Sequence, residues 1–251
     1  VEKRRFWKFE HYSTLSSTND HCIEMARSGH KTNLAVLADS QSSPRGSRGR
    51  KWIEPQGNLA FSLLYWPRSP NIKLNWIPFV AALSLYDAVR FYSKVDHELF
   101  IKWPNDLLYK NRKIGGILIE SNISKTSQLE WLVMGFGVNI NSYPDLNRKL
   151  GCLKDFVIKP PLAKELSEKI IYYFDYWINF LTNDQEKIIR EAWIEKSIPL
   201  NSKLTVNLQQ NSWEGIYCGI DEHGLLLLQT VKEMRSFSTG EVFWLDNSQD
   251  C

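Results

Sequence analysis

Short apolar runs separated by polar clusters fill the first half of the chain. Phe6–Tyr12 alternates aromatic with polar residues and predicts a strand. Ser16-Ser17-Thr18-Asn19-Asp20 is a group of cap-forming residues ahead of Cys22, Ile23, Met25 and Ala26. It predicts a short helix ending near Gly29. Leu34–Asp39 and Leu59–Trp66 predict buried strands. Leu74–Tyr92 spaces Ile77, Val80, Ala81, Leu83, Leu85, Ala88 and Val89 by threes and fours and predicts a helix, with Pro78 tolerated in its first turn. Leu99–Trp103 predicts a short strand stopped by Pro104. Asn105-Asp106 opens a connection, and Lys110-Asn111-Arg112-Lys113 predicts a hairpin tip. Ile114–Glu120 and Glu130–Asn141 predict two further strands.

The second half changes character. Pro160–Thr182 and Gln185–Lys196 predict two helices, the first with a stripe of Ile170, Ile171, Phe174, Trp177, Ile178 and Leu181 that reads as plain core. After Ile198-Pro199 the pattern turns to short strands: Leu204–Leu208, Trp213–Ile220, Leu225–Gln229, Met234–Ser238 and Glu241–Leu245. Asp221-Glu222-His223-Gly224 marks a hairpin turn among them. Strands this short and closely spaced predict a small barrel of SH3-like size. The fold class expected is therefore α+β. A mixed-sheet domain with packed helices over residues 1–198 is followed by a small barrel over 199–251.

One stretch fits none of these patterns. Ser43-Pro44-Arg45-Gly46-Ser47-Arg48-Gly49-Arg50-Lys51-Trp52 carries four positive charges, two glycines and no aliphatic side chain. Burying such unpaired charge costs several kcal/mol per group, roughly, and glycine is poor in helices and strands alike. A flexible cationic loop between two core strands is expected, suited to closing over an anion. A solvated charge run and a nucleic-acid contact are its rivals. Against nucleic acid, the loop has no aromatic for base stacking except Trp52, and the whole chain carries a formal charge of only +3.

Composition narrows the class further. At 251 residues the chain suits one large domain, or one with a small companion. Cys22, Cys152, Cys218 and Cys251 form no C-x-x-C pair, so neither a zinc site nor a redox pair is expected. No apolar run approaches the roughly 20 residues of a membrane span. The charged start Val1-Glu-Lys-Arg-Arg has no signal-peptide core behind it. A cytoplasmic protein with no membrane and no nucleic-acid partner is expected.

Two more polar clusters interrupt apolar strand ends. One joins Lys102-Trp103-Pro104-Asn105-Asp106 to Lys113-Ile114-Gly115-Gly116; the other is Gly135-Phe136-Gly137-Val138-Asn139-Ile140-Asn141. Glycine inside a strand marks close approach by a backbone or a ligand. Two such strands point to one shared recess. Lysines supply cations for phosphate oxygens, Asp106 a carboxylate for a proton or a metal, and Asn139 an amide for a phosphate or a metal-bound water. The plain alternatives are a snorkelling Lys102 and turn-forming Asp106, Asn139 and Asn141. No Walker sequence is present. Cations aimed at a polyphosphate suit phosphoryl or nucleotidyl transfer, hence an ATP-using transferase or ligase.

The ordered set Ser17-Thr18-Asn19, Gln41, Arg45 to Trp52, Gly57-Asn58-Leu59, Lys102 to Asp106, Lys113 to Glu120 and Gly135 to Asn139 resembles biotin protein ligase, also called holocarboxylase synthetase. The order and spacing of the motifs carry the resemblance, from about Thr14 to Trp244. It implies a sheet related to class II aminoacyl-tRNA synthetases with an SH3-like C-terminal domain. It implies formation of biotinyl-5′-AMP from biotin and Mg2+-bound ATP, then transfer to one lysine of a biotin carboxyl carrier domain, as in acetyl-CoA carboxylase. Homodimers are common in the family.

By position, the resemblance implies that Ser17, Thr18, Asn19 and Gln41 surround the biotin ureido ring, with Gly46, Gly116, Gly135 and Gly137 lining the recess. Arg45 is implied near the biotin carboxylate and the adenylate phosphate. Lys113 is implied at the reacting carboxylate and α-phosphate, and is the first candidate for catalysis. Asp106 is a candidate to orient or deprotonate the acceptor lysine. Arg50 is implied at the ATP phosphates, Trp52 near adenine and Asn139 at nucleotide or metal. Arg48, Lys51, Lys102 and Asn105 complete the nucleotide set. No protein cage for the metal is evident.

The chain departs from the family's Gly-Arg-Gly-Arg-x-Gly-Arg loop at Pro44 and Ser47, while Arg48 is present next door. Greater leakage of the adenylate is expected unless Arg48 or another group fills in. The helix-turn-helix of bifunctional members has no counterpart in the dozen residues before Ser13, so a monofunctional enzyme is expected. The alternatives are a lipoate or octanoate ligase of related fold, whose signature ending in His-Asp is missing, and a noncatalytic ligand-binding regulator.

Overall fold

The structure, a computed structural model, describes residues 5–245 apart from 54, 68–71, 94–96, 125–127 and 147. Most of the charged start, Cys251 and the last residues of the expected 199–251 domain lie outside the described residues. Seven strands form the larger sheet: β1 (Lys8–Tyr12), β2 (Leu34–Ala38), β3 (Leu59–Tyr65), β4 (Leu99–Lys102), β5 (Asp106–Tyr109), β6 (Arg112–Ile123) and β7 (Leu129–Val138). Their spatial order is β1-β2-β3-β7-β6-β5-β4. The β1–β2 pair is parallel and the other pairs are antiparallel, so the sheet is mixed.

Both faces of this sheet are covered, which is why β2 and β3 are buried at every position. Helix α1 (Thr18–Arg27) packs on one face, where Cys22 and Ala26 meet Leu34, Val36, Leu64, Trp131 and Val133. Helices α2 (Ile77–Tyr92), α3 (Ala163–Thr182) and α4 (Glu186–Lys196) belong to the larger core on the other face, with Ala35, Leu37 and Leu63. The period-2 alternation of strand side chains sorts the residues between these two cores. Pro78 sits in the first turn of α2, where its missing N–H costs nothing.

Five strands form a second, antiparallel sheet: β8 (Lys203–Leu208), β9 (Asn211–Ile220), β10 (Leu226–Gln229), β11 (Met234–Phe237) and β12 (Glu241–Trp244), in the order β11-β10-β9-β8-β12. It is docked on the larger body. Trp103 Nε1 donates to the Gly224 carbonyl at 3.2 Å and Arg190 Nε to the Ile220 carbonyl at 2.8 Å. A β-carbon at Gly224 would come within 2.6 Å of the Phe79 ring, so glycine is what lets this turn seat on α2.

Two features differ from the sequence reading. The connection after Pro104 contains a strand, β5, antiparallel to both β4 and β6. The cationic stretch, expected to be a flexible loop, is folded on itself. Gly46 N donates to the Arg50 carbonyl at 2.8 Å, Arg45 bridges to Lys51, and Ser47–Gly49 makes a single 3-10 turn with Arg48 at φ +58°. No helix among the described residues is long and apolar enough to cross a membrane.

Candidate active site

The sheet face under α1 changes along its strands. Beneath the helix it presents Leu64, Trp131 and Val133; beyond the helix N-terminus the same face presents Ser62, Ala60, Gly135 and Gly137. Register places Ser62 opposite Gly135, Ala60 opposite Gly137, and Gly116 opposite Gly137. Loss of side-chain volume on three adjacent strands leaves a recess, as the internal glycines predicted. The cleft above it encloses about 560 Å³, mouth included.

The end of the cleft beside the α1 N-terminus is lined by uncharged polar groups together with the Arg45 guanidinium. Ser17 caps α1 by accepting from Asp20 N at 3.3 Å. Thr18 N donates to Gln41 Oε1 at 2.8 Å, and Thr18 Oγ1 lies 3.2 Å from the same oxygen. Asn19 lies over Gly135, where a β-carbon would come within 2.1 Å of its Oδ1. Its Nδ2 donates to Glu120 Oε2 at 2.9 Å. Ser17, Thr18 and Asn19 are all buried. Their donors and acceptors suit a small uncharged polar ring.

The other end is charged. Lys113 Nζ lies 2.5 Å from Asp106 Oδ1, and Lys102 Nζ lies 3.1 Å from Asp106 Oδ2. Burial alone would raise the Asp106 carboxyl, but the Lys113 and Lys102 ammonium groups outweigh it and hold the carboxyl far below the usual range. Asp106 is therefore ionised and a poor proton acceptor at neutral pH. Between the two ends Trp52 lies over Gly137, its ring 2.6 Å from where a β-carbon would stand. Lys113 Nζ sits 5.7 Å from the centre of that ring. The indole Nε1 of Trp52 is buried and has no hydrogen-bond partner in the ligand-free protein.

A cleft joining a polar pocket to a lysine-rich end suits a ligand with a neutral ring and an anionic tail. Comparison with known proteins points the same way. The model of the biotin/lipoate A/B protein ligase family matches residues 12–139, and that of the biotin protein ligase C terminal domain matches residues 200–245. The chain belongs to the biotin/lipoate A/B protein ligase family. Within this family it is 31% identical over 239 residues to biotin–[acetyl-CoA-carboxylase] ligase of Paracoccus denitrificans, covering 91% of this chain and 97% of that one. It is 26% identical to the bifunctional ligase/repressor BirA of Bacillus subtilis, covering 92% of this chain and 72% of that one. Its fold resembles that of the Aquifex aeolicus biotin protein ligase solved with biotin and ATP, with TM-score 0.80, 24% identity and 94% and 97% coverage.

Of the residues singled out in the sequence of this family member, Ser17, Thr18, Asn19, Gln41, Arg45, Gly46, Trp52, Asn105, Asp106, Lys113, Gly116, Gly135 and Gly137 line the one cleft. Lys102 reaches it through Asp106. The rest lie elsewhere. Arg48 donates to the Gly240 carbonyl at 2.6 Å and Arg50 pairs with Glu241 at 2.5 Å, so both point to the second sheet. Lys51 is exposed. Asn139 is not among the residues lining the cleft: it is buried just past the end of β7, donating from Nδ2 to the Gly151 carbonyl at 3.0 Å.

Arg45 is engaged as well. Its guanidinium grips Glu120 with two bonds of 3.0 and 2.7 Å and reaches Asp20 Oδ1 at 2.6 Å. Glu120, Asp20 and Ser62 are the residues that sequence reasoning missed. Glu120 had a signal, since it ends the motif from Lys113; Ser62 had one as a small polar residue in the middle of a fully buried, otherwise apolar run from Leu59 to Leu64. No cluster of three or more acidic, His or Cys side chains suited to a metal occurs among the described residues. Cys22, Cys152 and Cys218 are free, and burial pushes the Cys22 thiol up.

Proposed function

We propose that this protein is a biotin–protein ligase. It uses ATP to join biotin to one lysine of a biotin carboxyl carrier domain, through biotinyl-5′-AMP. The observation that carries this reading is the cleft's polarity: Thr18, Asn19 and Gln41 at one end, Lys113 with Asp106 and Lys102 at the other. Biotin has the matching shape, a cyclic urea at one end of a chain and a carboxylate at the other.

In the first step a biotin carboxylate oxygen attacks the α-phosphorus of ATP, and the bond to the bridging oxygen breaks to release pyrophosphate. Lys113 offsets the charge that builds on the α-phosphoryl oxygens. Asp106 holds the Lys113 ammonium in place. In the second step the neutral amine of the acceptor lysine attacks the acyl carbon, and AMP leaves with the former carboxylate oxygen. The amine must shed a proton first. An Asp106 carboxyl held so far below its usual range suits orienting that amine better than deprotonating it.

Arg45 frames the biotin pocket, and Trp52 covers the middle of the cleft, where the nucleotide base would stack. Arg48, Arg50 and Lys51 lie on the loop that reaches the phosphates once Arg50 leaves Glu241. Mg2+ arrives on the ATP phosphates as part of the substrate. Residues 1–198 are the catalytic domain and 199–251 the companion domain, acting in the cytoplasm on a carrier of the acetyl-CoA carboxylase type, as a monomer or homodimer. The lipoate and octanoate alternative is disfavoured by the match of residues 200–245 to a biotin protein ligase domain. The test is to incubate the protein with biotin, Mg-ATP and a carrier domain, with lipoate and octanoate as competitors. One biotinyl group per carrier is expected, with little competition.

A further inference from the structure

Beneath the polar end of the cleft lies Ser62, fully buried and not itself part of the cleft wall. It lies mid-strand in β3, whose every residue is buried and whose other side chains, apart from the Tyr65 phenol at the strand end, are apolar. Its hydroxyl oxygen is 2.6 Å from Asn19 Oδ1 and 2.7 Å from Thr18 Oγ1. A serine hydroxyl has one proton, so it can serve only one of these contacts as donor.

The surroundings decide which. Asn19 Nδ2 faces two acceptors, Glu120 Oε2 at 2.9 Å and the Leu118 carbonyl at 3.4 Å. The amide is therefore oriented with nitrogen toward them, and Oδ1, a pure acceptor, must face Ser62. Ser62 donates to Asn19. The oxygens of Ser62 and Thr18 then stand 2.7 Å apart with a single proton left to lie between them, that of Thr18. The 3.2 Å contact of Thr18 Oγ1 with Gln41 Oε1 competes for the same proton, but it is longer, and that oxygen already accepts Thr18 N–H at 2.8 Å. The hydroxyl relay runs from Thr18 to Ser62 to Asn19, and ends on Glu120.

We infer that Ser62 is a positioning residue for ligand recognition: by drawing the Thr18 proton down into the sheet it leaves the Thr18 oxygen as an acceptor facing the cleft, selecting a ring that presents an N–H there. The inference rests on the biotin reading, with a ureido N–H as the group selected. Gly135, opposite Ser62 in register, makes the relay feasible by leaving room for Asn19 above it.

The experiment measures affinity by calorimetry for biotin and for two analogues, each with a different ring N–H replaced by oxygen. Proteins are the wild type, Ser62→Ala and the near-isosteric Ser62→Cys. Ser62→Ala lets the Thr18 proton turn toward Gln41 or the ligand. It is expected to weaken biotin about tenfold, the loss of one buried hydrogen bond. It is also expected to shrink the preference for biotin over one of the two analogues to within about threefold, leaving the other preference and the KM for ATP unchanged. Ser62→Cys, a weaker donor of similar size, is expected to shift the same preference less. If Ser62→Ala does not fold, Ser62→Cys alone decides, and an unchanged preference there overturns the inference. Weaker biotin binding with both preferences intact would mean that Ser62 only fills space, and would overturn it too. A wild type that binds no biotin is a separate result, which overturns the biotin reading itself.

Discussion

Lys113 and Asp106 meet at 2.5 Å between adjacent strands, and the second Asp106 oxygen takes Lys102. One carboxylate thus fixes two ammonium groups at the charged end of the cleft. The arrangement stores positive charge without leaving it unpaired. It also gives Lys113 a fixed position in the cleft.

Lys113→Ala is expected to cut adenylate formation by about 10²–10³-fold, the scale for removing one preorganised charge-stabilising group. Biotin affinity should change far less, because the polar pocket is at the other end. Pyrophosphate release and calorimetry on the same variant check this. Wild-type pyrophosphate release in the variant would sink the assignment.

Asp106→Asn leaves the two lysines facing each other without a counter-charge. Removing one partner of a largely buried pair costs about 3 kcal/mol, and this site is partly open, so that figure is an upper value. The pH dependence follows from the depressed carboxyl. A carboxyl lowered on folding stabilises the protein fully above its unfolded value, about 3.9, and the contribution fades as pH falls below that. Urea unfolding at several pH values should therefore show a constant gap between wild type and variant above pH about 4, narrowing at more acid pH. A gap that changes between pH 6 and 8 would contradict it.

Two glycine substitutions should part company. At Gly135 a β-carbon would stand 2.1 Å from Asn19 Oδ1, in a packed and hydrogen-bonded spot. Gly135→Ala is expected to lose biotin binding and about 1–3 kcal/mol of stability through overpacking. At Gly116 the nearest atom is Lys113 Nζ at 3.0 Å, the far end of a flexible chain. Gly116→Ala should fold normally, bind biotin and form adenylate slowly. Thermal unfolding, biotin calorimetry and pyrophosphate release on both variants make the comparison.

The contacts of Arg48 and Arg50 with Gly240 and Glu241 tie the basic loop to the second sheet. Glu241→Ala breaks the ion pair of two well-exposed side chains, worth no more than about 1 kcal/mol. Global stability should hardly move. Cleavage by trypsin between Arg45 and Lys51 should quicken in the ligand-free variant, and biotinyl-AMP should slow it again. Equal cleavage in wild type and variant would mean that the contact does not restrain the loop.

The larger elements were legible because periodicity reports burial directly. The fully apolar Leu34–Ala38 and Leu59–Tyr65 and the stripe of α3 could be little else. The strand Asp106–Tyr109 was not legible, since it has four residues between a proline turn and a hairpin tip. In the site, the glycines of β6 and β7 revealed the recess because absent side chains act locally. Arg45 with Glu120 was hidden: the two are 75 positions apart, and a motif gives residue types without saying which charges meet. Arg50 and Asn139 carried the right chemistry for phosphate, but tertiary packing turns them toward Glu241 and Gly151.

Transfer of biotin to protein through the cleft of Thr18, Asn19 and Lys113 is tested by intact-protein mass spectrometry of a biotin carboxyl carrier domain after incubation with this protein, biotin and Mg-ATP. The expected result is a single biotinyl increment on one lysine, dependent on ATP and lost in Lys113→Ala. A carrier that gains no mass, or gains it without ATP, would contradict the account.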